Sequence, residues 1–372
     1  MKETQQFTMG ELFTLEYGKP VPDKESSDGS VPVYGTNGQI GTSHLKPLCN
    51  HPSVILGRKG AYRGVHYSNR PFSVIDTAFY IELITDKVDI KWLYYKLLTY
   101  DINSMDSGSA IPSTDRYQIY SLPIEVPSIS TQRRIVDILD SITTKIELNR
   151  QINDNLEQQI QALYQAWFID LVPFNGVRPN SWDYGLLSDL LTIQKETIKP
   201  HNVNGMPYLP IDAIPMRCLG INRFAPSEDA LSSLQKFHSN DIVIGAMRVY
   251  FHRVIIAPCE GITRNTSFVL RPNMLNTLAY CLCLCNQKDT IDFAQATSKG
   301  TTMPYAVWEG GLANMPITIP DKNILNEFET LVMPLISSIR DSYLERIKLE
   351  QLRDSLLPKL MSGELKINKI DC

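Results

Sequence analysis

The 372-residue sequence has no run of about 18 uncharged apolar residues, the length a membrane helix needs, so no membrane span is expected. Its opening segment, MKETQQFTMGELF, has no continuous apolar stretch, and no secretory leader is expected there. The sequence also lacks a Gly-x-x-x-x-Gly-Lys-[Ser/Thr] phosphate loop, a Gly-x-Gly-x-x-Gly fingerprint and an Asn-Pro-Pro-aromatic motif. The nearest approach to a phosphate loop, Gly57-Arg58-Lys59-Gly60 with Gly64, is missing the Lys-Ser/Thr pair and the helix that should follow. Glu364-Leu365-Lys366 resembles the end of a nuclease motif. Its nearest upstream aspartate, Asp354, falls in a helical pattern, so a surface charge pair is the simpler reading. Six histidines are scattered with no pairing to a serine or cysteine. No catalytic centre is expected.

Seven cysteines (Cys49, Cys218, Cys259, Cys281, Cys283, Cys285 and Cys372) are an odd and dispersed set, which reads as reduced thiols in a cytosol. Cys281, Cys283 and Cys285 are one residue apart with no histidine following, a spacing that suits packing on a buried helix, so no metal site is expected. The formal net charge of −4 excludes a uniformly basic nucleic-acid sponge, but leaves room for local positive charge. A hydrophobic fraction of 43% over this length supports about two domain cores.

What is present is a repeat. Gly10-Glu11-Leu12-Phe13 has a counterpart in Gly185-Leu186-Leu187, and Val31-Pro32-Val33-Tyr34 in Met206-Pro207-Tyr208-Leu209. Val54-Ile55-Leu56-Gly57-Arg58 matches Ile242-Val243-Ile244-Gly245 with Arg248 following, and Asp76-Thr77-Ala78-Phe79 matches Asn265-Thr266-Ser267-Phe268. Gly108-Ser109-Ala110-Ile111-Pro112 corresponds to Gly300-Thr301-Thr302-Met303-Pro304, and Pro123-Ile124-Glu125-Val126-Pro127 to Pro316-Ile317-Thr318-Ile319-Pro320. The offset grows from 175 (Gly10 to Gly185) to 193 (Pro123 to Pro316), as two diverged copies with loop insertions give. A short amphipathic helix over Ile90–Leu98 has its counterpart at Leu278–Cys285.

Each copy ends in a long helical pattern. From about Thr131 to Phe168 the seam reads Leu139, Ile142, Ile146, Asn149, Asn153, Leu156, Ile160, Leu163 and Trp167, with no proline or glycine inside. Such a helix spans about 55 Å. The second runs from about Asn323 to Met361, with the poorer stripe Val332, Leu335, Ile339, Ser342, Arg346, Leu349, Arg353, Leu356 and Leu360, and Pro334 is expected to kink or restart it. Two such stripes either pack on their own domains or on each other. Asn149 and Asn153 suit register selection, and an antiparallel pair is natural for one chain with a domain between the helices. The expected fold is α/β: mixed α/β domains at 1–130 and 171–320, alternating with long helices at 131–170 and 321–372. The helices pair as an antiparallel coiled coil, and the internal repeat has pseudo-two-fold symmetry.

The remaining signal is one of recognition. Between His51 and Phe72 lie Arg58, Lys59, Arg63 and Arg70, interleaved with Tyr62 and Tyr67 and without an acidic residue. The second copy, Ile242 to Pro258, carries Arg248, Tyr250, Phe251, His252 and Arg253, again without acid. Arginine bonds guanine edges bidentately, while lysine and backbone amides hold phosphates. Polar loops fall in register with these patches: Thr36-Asn37-Gly38-Gln39, Ser107-Gly108-Ser109, and Ser298-Lys299-Gly300-Thr301-Thr302. The alternative for each is ordinary turn chemistry or a solvated loop. Candidate DNA contacts are therefore Thr36, Asn37, Arg58, Lys59, Tyr62, Arg63, Ser109, Arg248, Tyr250, His252, Arg253, Lys299, Thr301 and Thr302.

The combination of Val-Pro-Val-Tyr-Gly-Thr-Asn-Gly, Ile-Leu-Gly-Arg-Lys-Gly, Asp-Thr-Ala-Phe and Pro-Ile-Glu-Val-Pro-Ser-Ile-Ser-Thr-Gln-Arg-Arg-Ile-Val-Asp-Ile-Leu-Asp resembles the specificity subunits of type I restriction-modification enzymes, over residues 10 to 365. The family's Pro-Pro before a Glu-Gln is here Val126-Pro127 and Thr131-Gln132-Arg133, and Asp321-Lys322-Asn323 in the second copy. The resemblance implies two target recognition domains and two spacer helices that set the gap of a split DNA target. It implies two adenine methyltransferase subunits as partners, with motor-nuclease subunits able to join. S-adenosylmethionine, ATP and magnesium would belong to those partners, with no cofactor in this chain and a cytoplasmic location. The outer helix faces (Arg133, Arg134, Lys145, Arg150) would meet partner helices. Two other readings are a coiled-coil scaffold without DNA binding, and a nuclease depending on Glu364 or Lys366.

Overall fold

The computed structural model describes residues 4–106, 112–203 and 205–365. Ser109 and its neighbours 107–111, together with Lys366 and Cys372, lie outside the described residues. The chain forms two compact units, one from residues 1–143 and 351–372, the other from 144–350.

In chain order the first unit holds strands β1 (Thr4–Thr8), β2 (Phe13–Tyr17), β3 (Val31–Gly35), β4 (Gly38–Ser43), β5 (Ser53–Gly57), β6 (Val65–Ser68), β7 (Ser73–Val74) and β8 (Ala78–Leu83). Helices α1 (Ile90–Leu97) and α2 (Arg116–Ser121) follow, then β9 (Pro123–Pro127) and the start of α3 (Ile129–Tyr164). One sheet has the order β2-β8-β5-β6, a second β4-β3-β7, and β1 pairs with β9 in a ribbon. β5 is buried along its whole length because both of its faces are covered. Val54 and Leu56 pack with Trp92 of α1, while Ile55 packs with Phe72 and with Val74 of the second sheet's β7. Gln132, fully buried at the start of α3, accepts from the Asp89 amide (2.7 Å) and donates to the carbonyls of Lys87 and Pro127.

The second unit holds β10 (Asp183–Leu186), α4 (Leu187–Leu190), β11 (Leu191–Ile193), β12 (Thr197–Ile198), β13 (Tyr208–Leu209), β14 (Leu234–Phe237), β15 (Ile242–Gly245), β16 (Val254–Ile256), β17 (Gly261–Arg264) and β18 (Ser267–Pro272). It continues with α5 (Leu278–Cys285), α6 (Lys288–Ala296), β19 (Pro316–Ile319) and α7 (Lys322–Met361), whose last turns belong to the first unit. Its sheet β11-β18-β15-β16 repeats β2-β8-β5-β6 strand for strand, and the ribbon β10-β19 repeats β1-β9. The parallel pair β13-β17 stands where β3-β7 stands in the first unit. The alternation of β5 recurs too: Ile242 and Ile244 face one core and Val243 the other.

The matched motifs occupy equivalent ladder positions, with one shift. Thr8 and Leu186 are the N-cap residues, and their amides donate to Glu11 and Asp189 respectively. Glu11 therefore corresponds to Asp189, and Gly10 does not correspond to Gly185. The two glycines answer to different neighbours: a Cβ on Gly10 would lie 2.9 Å from Tyr120, and one on Gly185 2.5 Å from Ile319.

α3 begins two residues before the expected Thr131 and gives way to a π turn over Gln165–Ile169. α7 runs unbroken through Pro334. From Leu139 onward the buried positions of α3 are Leu139, Ile142, Ile146, Asn149, Asn153, Glu157, Ile160 and Tyr164. Leu156 and Leu163, expected in the seam, are only partly buried, because Glu157 and Tyr164 take those places. On α7, Val332, Ile336, Ile339, Tyr343 and Arg346 are buried, while Leu335, Leu349 and Leu356 are partly exposed. Within the second unit Asn149 donates to Glu345 (2.7 Å), Arg150 to Glu350 (3.0 Å), and Tyr343 to Glu157 (3.1 Å). Within the first unit Leu139 and Ile135 share a core with Leu360 and Met361. Lys145 and Arg150, expected on the outer faces, are exposed and pair with Glu345 and Glu350 of α7.

Candidate nucleic-acid interface

The two basic loops are built on one backbone frame. In the first unit β5 ends at Gly57, whose amide donates to the Gly64 carbonyl (2.8 Å), closing the loop to β6. The amides of Arg58 and Lys59 both donate to Thr77 O, and Gly60 N donates to Pro112 O. In the second unit Gly245 N donates to Arg253 O, Ala246 and Met247 donate to Thr266 O, and Arg248 N donates to Pro304 O. The bridges Lys59–Ser113 and Met247–Tyr305 complete the equivalence. Each β5–β6-type loop is thus pinned to the end of the polar segment that precedes the closing ribbon. The offset of 188 in this frame places Tyr62 opposite Tyr250, and both are exposed, at 67% and 43%.

In the first unit the structure brings Thr36, Asn37, Lys59 and Tyr62 together. The Thr36 hydroxyl lies 2.7 Å from Lys59 O and 2.6 Å from Thr77 O, and its carbonyl accepts from Gly64 N. Asn37, with its amide oriented to donate, bonds Tyr62 O at 2.8 Å. Thr36 is therefore committed to holding the loop, while Asn37 remains exposed. Gly57 has to be glycine, since a Cβ there would lie 2.8 Å from both Arg63 and the Thr36 carbonyl.

The patch is less free of acid than the sequence window suggested. Lys59 Nζ is 3.2 Å from Asp76, and the Arg58 guanidinium donates to the Asp76 carbonyl. Arg58 also lies 4.7 Å over the Tyr17 ring, which Arg116 approaches at 5.3 Å. Arg63 requires a correction as a surface contact. It is 2% exposed, donates to Asn103 O (2.8 Å), and sits 3.7 Å from Asp106. Its charge holds the loop from beneath.

In the second unit Arg248 is exposed beside the turn Lys299–Tyr305, whose ends exchange two backbone bonds of 2.9 Å. Lys299, Thr301 and Thr302 are exposed at that turn, so Arg248, Tyr250, Lys299, Thr301 and Thr302 form one surface. Arg248 (φ 50°) and His252 (φ 51°) adopt left-handed backbone, a strain of about 1–3 kcal/mol each that concentrates at functional loops. His252 is drawn elsewhere: its Nε2 bonds Asn286 Oδ1 at 2.9 Å, and it lines a cleft of about 730 Å³ with Gln158, Gln161 and Arg217. Arg253 is half-buried, with its guanidinium over Phe251.

Sequence reasoning missed Tyr17, Arg116 and Tyr117 in the first unit, and Met303 and Tyr305 in the second, all of them solvent-facing in part. Arg116, Tyr117 and Tyr305 carried a weak signal, an aromatic or basic residue soon after the polar segment, and Tyr17 and Met303 carried none. Cys281, Cys283 and Cys285 lie in the core of α5, and burial pushes the Cys281 thiol up to about 12. No helix among the described residues is long and apolar enough to cross a membrane.

In both units a loop held on the same backbone frame presents basic and aromatic side chains. The family described as type I restriction modification DNA specificity domain matches residues 1–158. The chain is 26% identical over 312 residues to the type I restriction enzyme MjaIX specificity subunit of Methanocaldococcus jannaschii, covering 77% of this chain and 71% of that one. It is 19% identical over 396 residues to the EcoDI specificity subunit of Escherichia coli, covering 96% and 87%. In fold it is similar to a type I restriction-modification S subunit from M. genitalium, with a TM-score of 0.64, 15% identity and 96% of both chains covered. Residues 1–158 thus match the type I restriction modification DNA specificity domain, and the chain along most of its length is similar to specificity subunits of type I restriction enzymes.

Proposed function

We propose that this subunit reads a bipartite, asymmetric DNA target, one half-site through the Arg58–Gly64 loop and the other through the Arg248–Arg253 loop. The observation that carries this reading is the shared backbone frame with different side chains: the same hydrogen bonds to Thr77 and Thr266, but Arg58, Lys59 and Tyr62 on one and Arg248, Tyr250 and Lys299 on the other. Equal frames suit equal docking on duplex DNA, and unequal side chains suit unequal base patterns. Asn37, Lys59, Tyr62, Arg248, Tyr250, Lys299, Thr301 and Thr302 are the proposed contacts, and Arg58 joins them through its exposed partner Tyr17.

In this reading residues 1–130 and 171–320 are the recognition domains, and the helices of 131–170 and 321–372 form an antiparallel coiled-coil spacer of about 55 Å with pseudo-two-fold symmetry. That length corresponds to about one and a half turns of DNA. Two adenine methyltransferase subunits dock on the chain, and motor-nuclease subunits can join. Methyl transfer from S-adenosylmethionine and ATP- and magnesium-dependent cutting then belong to those partners, in the cytoplasm. With a net charge of −4, phosphate neutralisation is shared across the complex.

The test is co-expression with the methyltransferase subunit and mapping of N6-methyladenine in host DNA. A bipartite motif with a fixed gap, lost when this chain is deleted, is expected. An assembled, cofactor-supplied complex that methylates no motif, or a strictly palindromic one, overturns the reading.

A further inference from the structure

We propose that Arg116 is a second base-reading residue of the first unit, held beside Arg58 on the ring of Tyr17, and that the half-site read there contains a G·C pair whose guanine Arg116 selects. This rests on the DNA-reading function proposed above and adds a specificity-determining residue to it. The guanidinium of Arg116, at the start of α2, lies 5.3 Å from the Tyr17 ring centroid, and that of Arg58 lies 4.7 Å from the same centroid. Tyr17 is itself fixed. It ends β2 and meets the buried Phe79 edge-on, with 5.0 Å between centroids. α2 is tied to the same strand, because the Tyr120 hydroxyl accepts from the Leu15 amide at 2.7 Å. Strand and helix thus bring two guanidinium groups to one ring.

The acids nearby are committed elsewhere. Asp115 caps α2 by accepting from Tyr117 N (2.9 Å), Glu16 accepts from the Thr14 hydroxyl (2.9 Å), and Asp76 faces Lys59 at 3.2 Å. Among the described residues the Arg116 side chain makes one hydrogen bond, to the Tyr117 hydroxyl (3.1 Å), and that of Arg58 makes one, to the Asp76 carbonyl (3.0 Å). A guanidinium carries five donors in one plane, so both groups keep donors to give. Tyr17 and Tyr117 beside them are 45% and 67% exposed, so a ligand can reach the place. A ring contact orders a guanidinium without consuming its donors. Arg63 differs in this respect, because its donors are spent on Asn103 beneath the loop. A phosphate is held equally well by a mobile point charge such as lysine, whereas an ordered fork suits the paired O6 and N7 acceptors of guanine in the major groove.

The repeat supplies an independent observation. Leu15 and Ile193 hold the same ladder position, opposite Ile81 and Leu270, so Lys195 stands where Tyr17 stands in the first unit. The bridges Lys59–Ser113 and Met247–Tyr305 likewise place Glu309 where Tyr117 stands. Lys195 and Glu309 close on each other as an ion pair of 2.7 Å. The second unit therefore neutralises itself at the place where the first presents two guanidinium groups on an aromatic ring. One copy of the frame carries a reader there and the other a closed pair, so the contact belongs to one half-site only.

The full chain is co-expressed with its methyltransferase subunit, and the N6-methyladenine motif is mapped for wild type, Arg116→Lys and Arg116→Ala, with Tyr62→Ala marking which half-site the first unit reads. Arg116→Lys keeps the charge and loses the fork. It should admit other base pairs at one G·C position of that half-site, with discrimination falling about 10- to 100-fold, while the other half-site stays as it was and shows that the chain is folded and assembled. Tyr17→Leu should relax the same position, and Tyr17→Phe, which keeps the ring, should not. A first half-site without a G·C pair, a motif unchanged in both Arg116 variants, or a loss of methylation in Arg116→Lys that is uniform across sequences overturns the proposal. A wild-type complex that methylates no motif overturns the DNA-reading function as well.

Discussion

Glu157 is an acid in the buried stripe of α3, and its replacement has a calculable outcome. Its carboxylate, 7% exposed, accepts from Leu219 N (3.1 Å), Tyr343 OH (3.1 Å) and the Cys218 thiol (3.4 Å), joining two helices and one loop of the second unit. Glu157→Ala leaves the Leu219 amide without an acceptor, whereas Tyr343 still reaches Cys218. One orphaned buried amide costs about 1–3 kcal/mol and the small cavity about 1 more, so a loss of about 2–4 kcal/mol is expected. Glu157→Gln keeps one acceptor oxygen and should cost less than about 1 kcal/mol at acidic pH.

Burial raises the Glu157 carboxyl above its usual range. The folded state therefore holds a proton that the unfolded state has already lost, and this favours folding fully below the unfolded pKa. The advantage disappears as pH rises through the folded pKa. Glutamine does not titrate, so the variant should gain on wild type across that window. Hydrogen exchange read on α5 and β15 peptides measures the second unit alone, which whole-chain melting of a two-unit protein does not. Equal losses for alanine and glutamine, or a wild-type-to-glutamine difference independent of pH, would refute the reasoning.

Four further outcomes follow from the same geometry. Asn153 is 1% exposed with both amide atoms unpartnered, so Asn153→Leu should stabilise the second unit by about 1–2 kcal/mol in the same exchange measurement. Arg63→Met removes a buried cation bonded to Asn103 and should cost the first unit about 3 kcal/mol in urea melts followed by exchange, with Arg63→Lys, which keeps the charge, recovering part of that loss. Lys59→Ala should weaken DNA binding of the assembled complex uniformly across sequences and flatten its salt dependence by about one phosphate contact, whereas Tyr62→Ala and Tyr250→Ala should each relax one half-site of the methylation motif. Because burial holds the thiols of Cys281, Cys283 and Cys285 protonated, iodoacetamide should label none of them in the native chain at pH 8 and all three in urea, read by peptide mass spectrometry.

The repeat was legible because it resides in local patterns: Asp76-Thr77-Ala78-Phe79 and Asn265-Thr266-Ser267-Phe268 sit at the same ladder positions because the backbone of Thr77 and Thr266 does the same work. Helix boundaries were legible within a few residues, since capping and apolar period are local signals. Leu156, Leu163 and Leu335, read into the seam, pack against the second unit's core only part-buried, because a period of three and four residues admits two adjacent faces. The choice went to Glu157, Tyr164 and Ile336 through contacts that sequence does not display. Arg63 was misplaced for a similar reason: what buries it, Asn103 and Asp106, lies about forty residues away.

Both units share a further trait. The chain enters each sheet region along one strand of a short ribbon and leaves along the other, β1 beside β9 and β10 beside β19. Entry and exit are therefore neighbours, and the segment between them joins the rest of the chain covalently through one two-stranded stem. A segment held this way can be exchanged for a foreign one by cutting at Thr8 and Pro123, or at Leu186 and Pro316, since each pair already faces across the ladder. Recombination at those points would exchange the whole segment between them while keeping both long helices, as long as the incoming segment keeps the face that Gln132 and Asp140 of α3 bond. The stem makes new specificity an inheritable module.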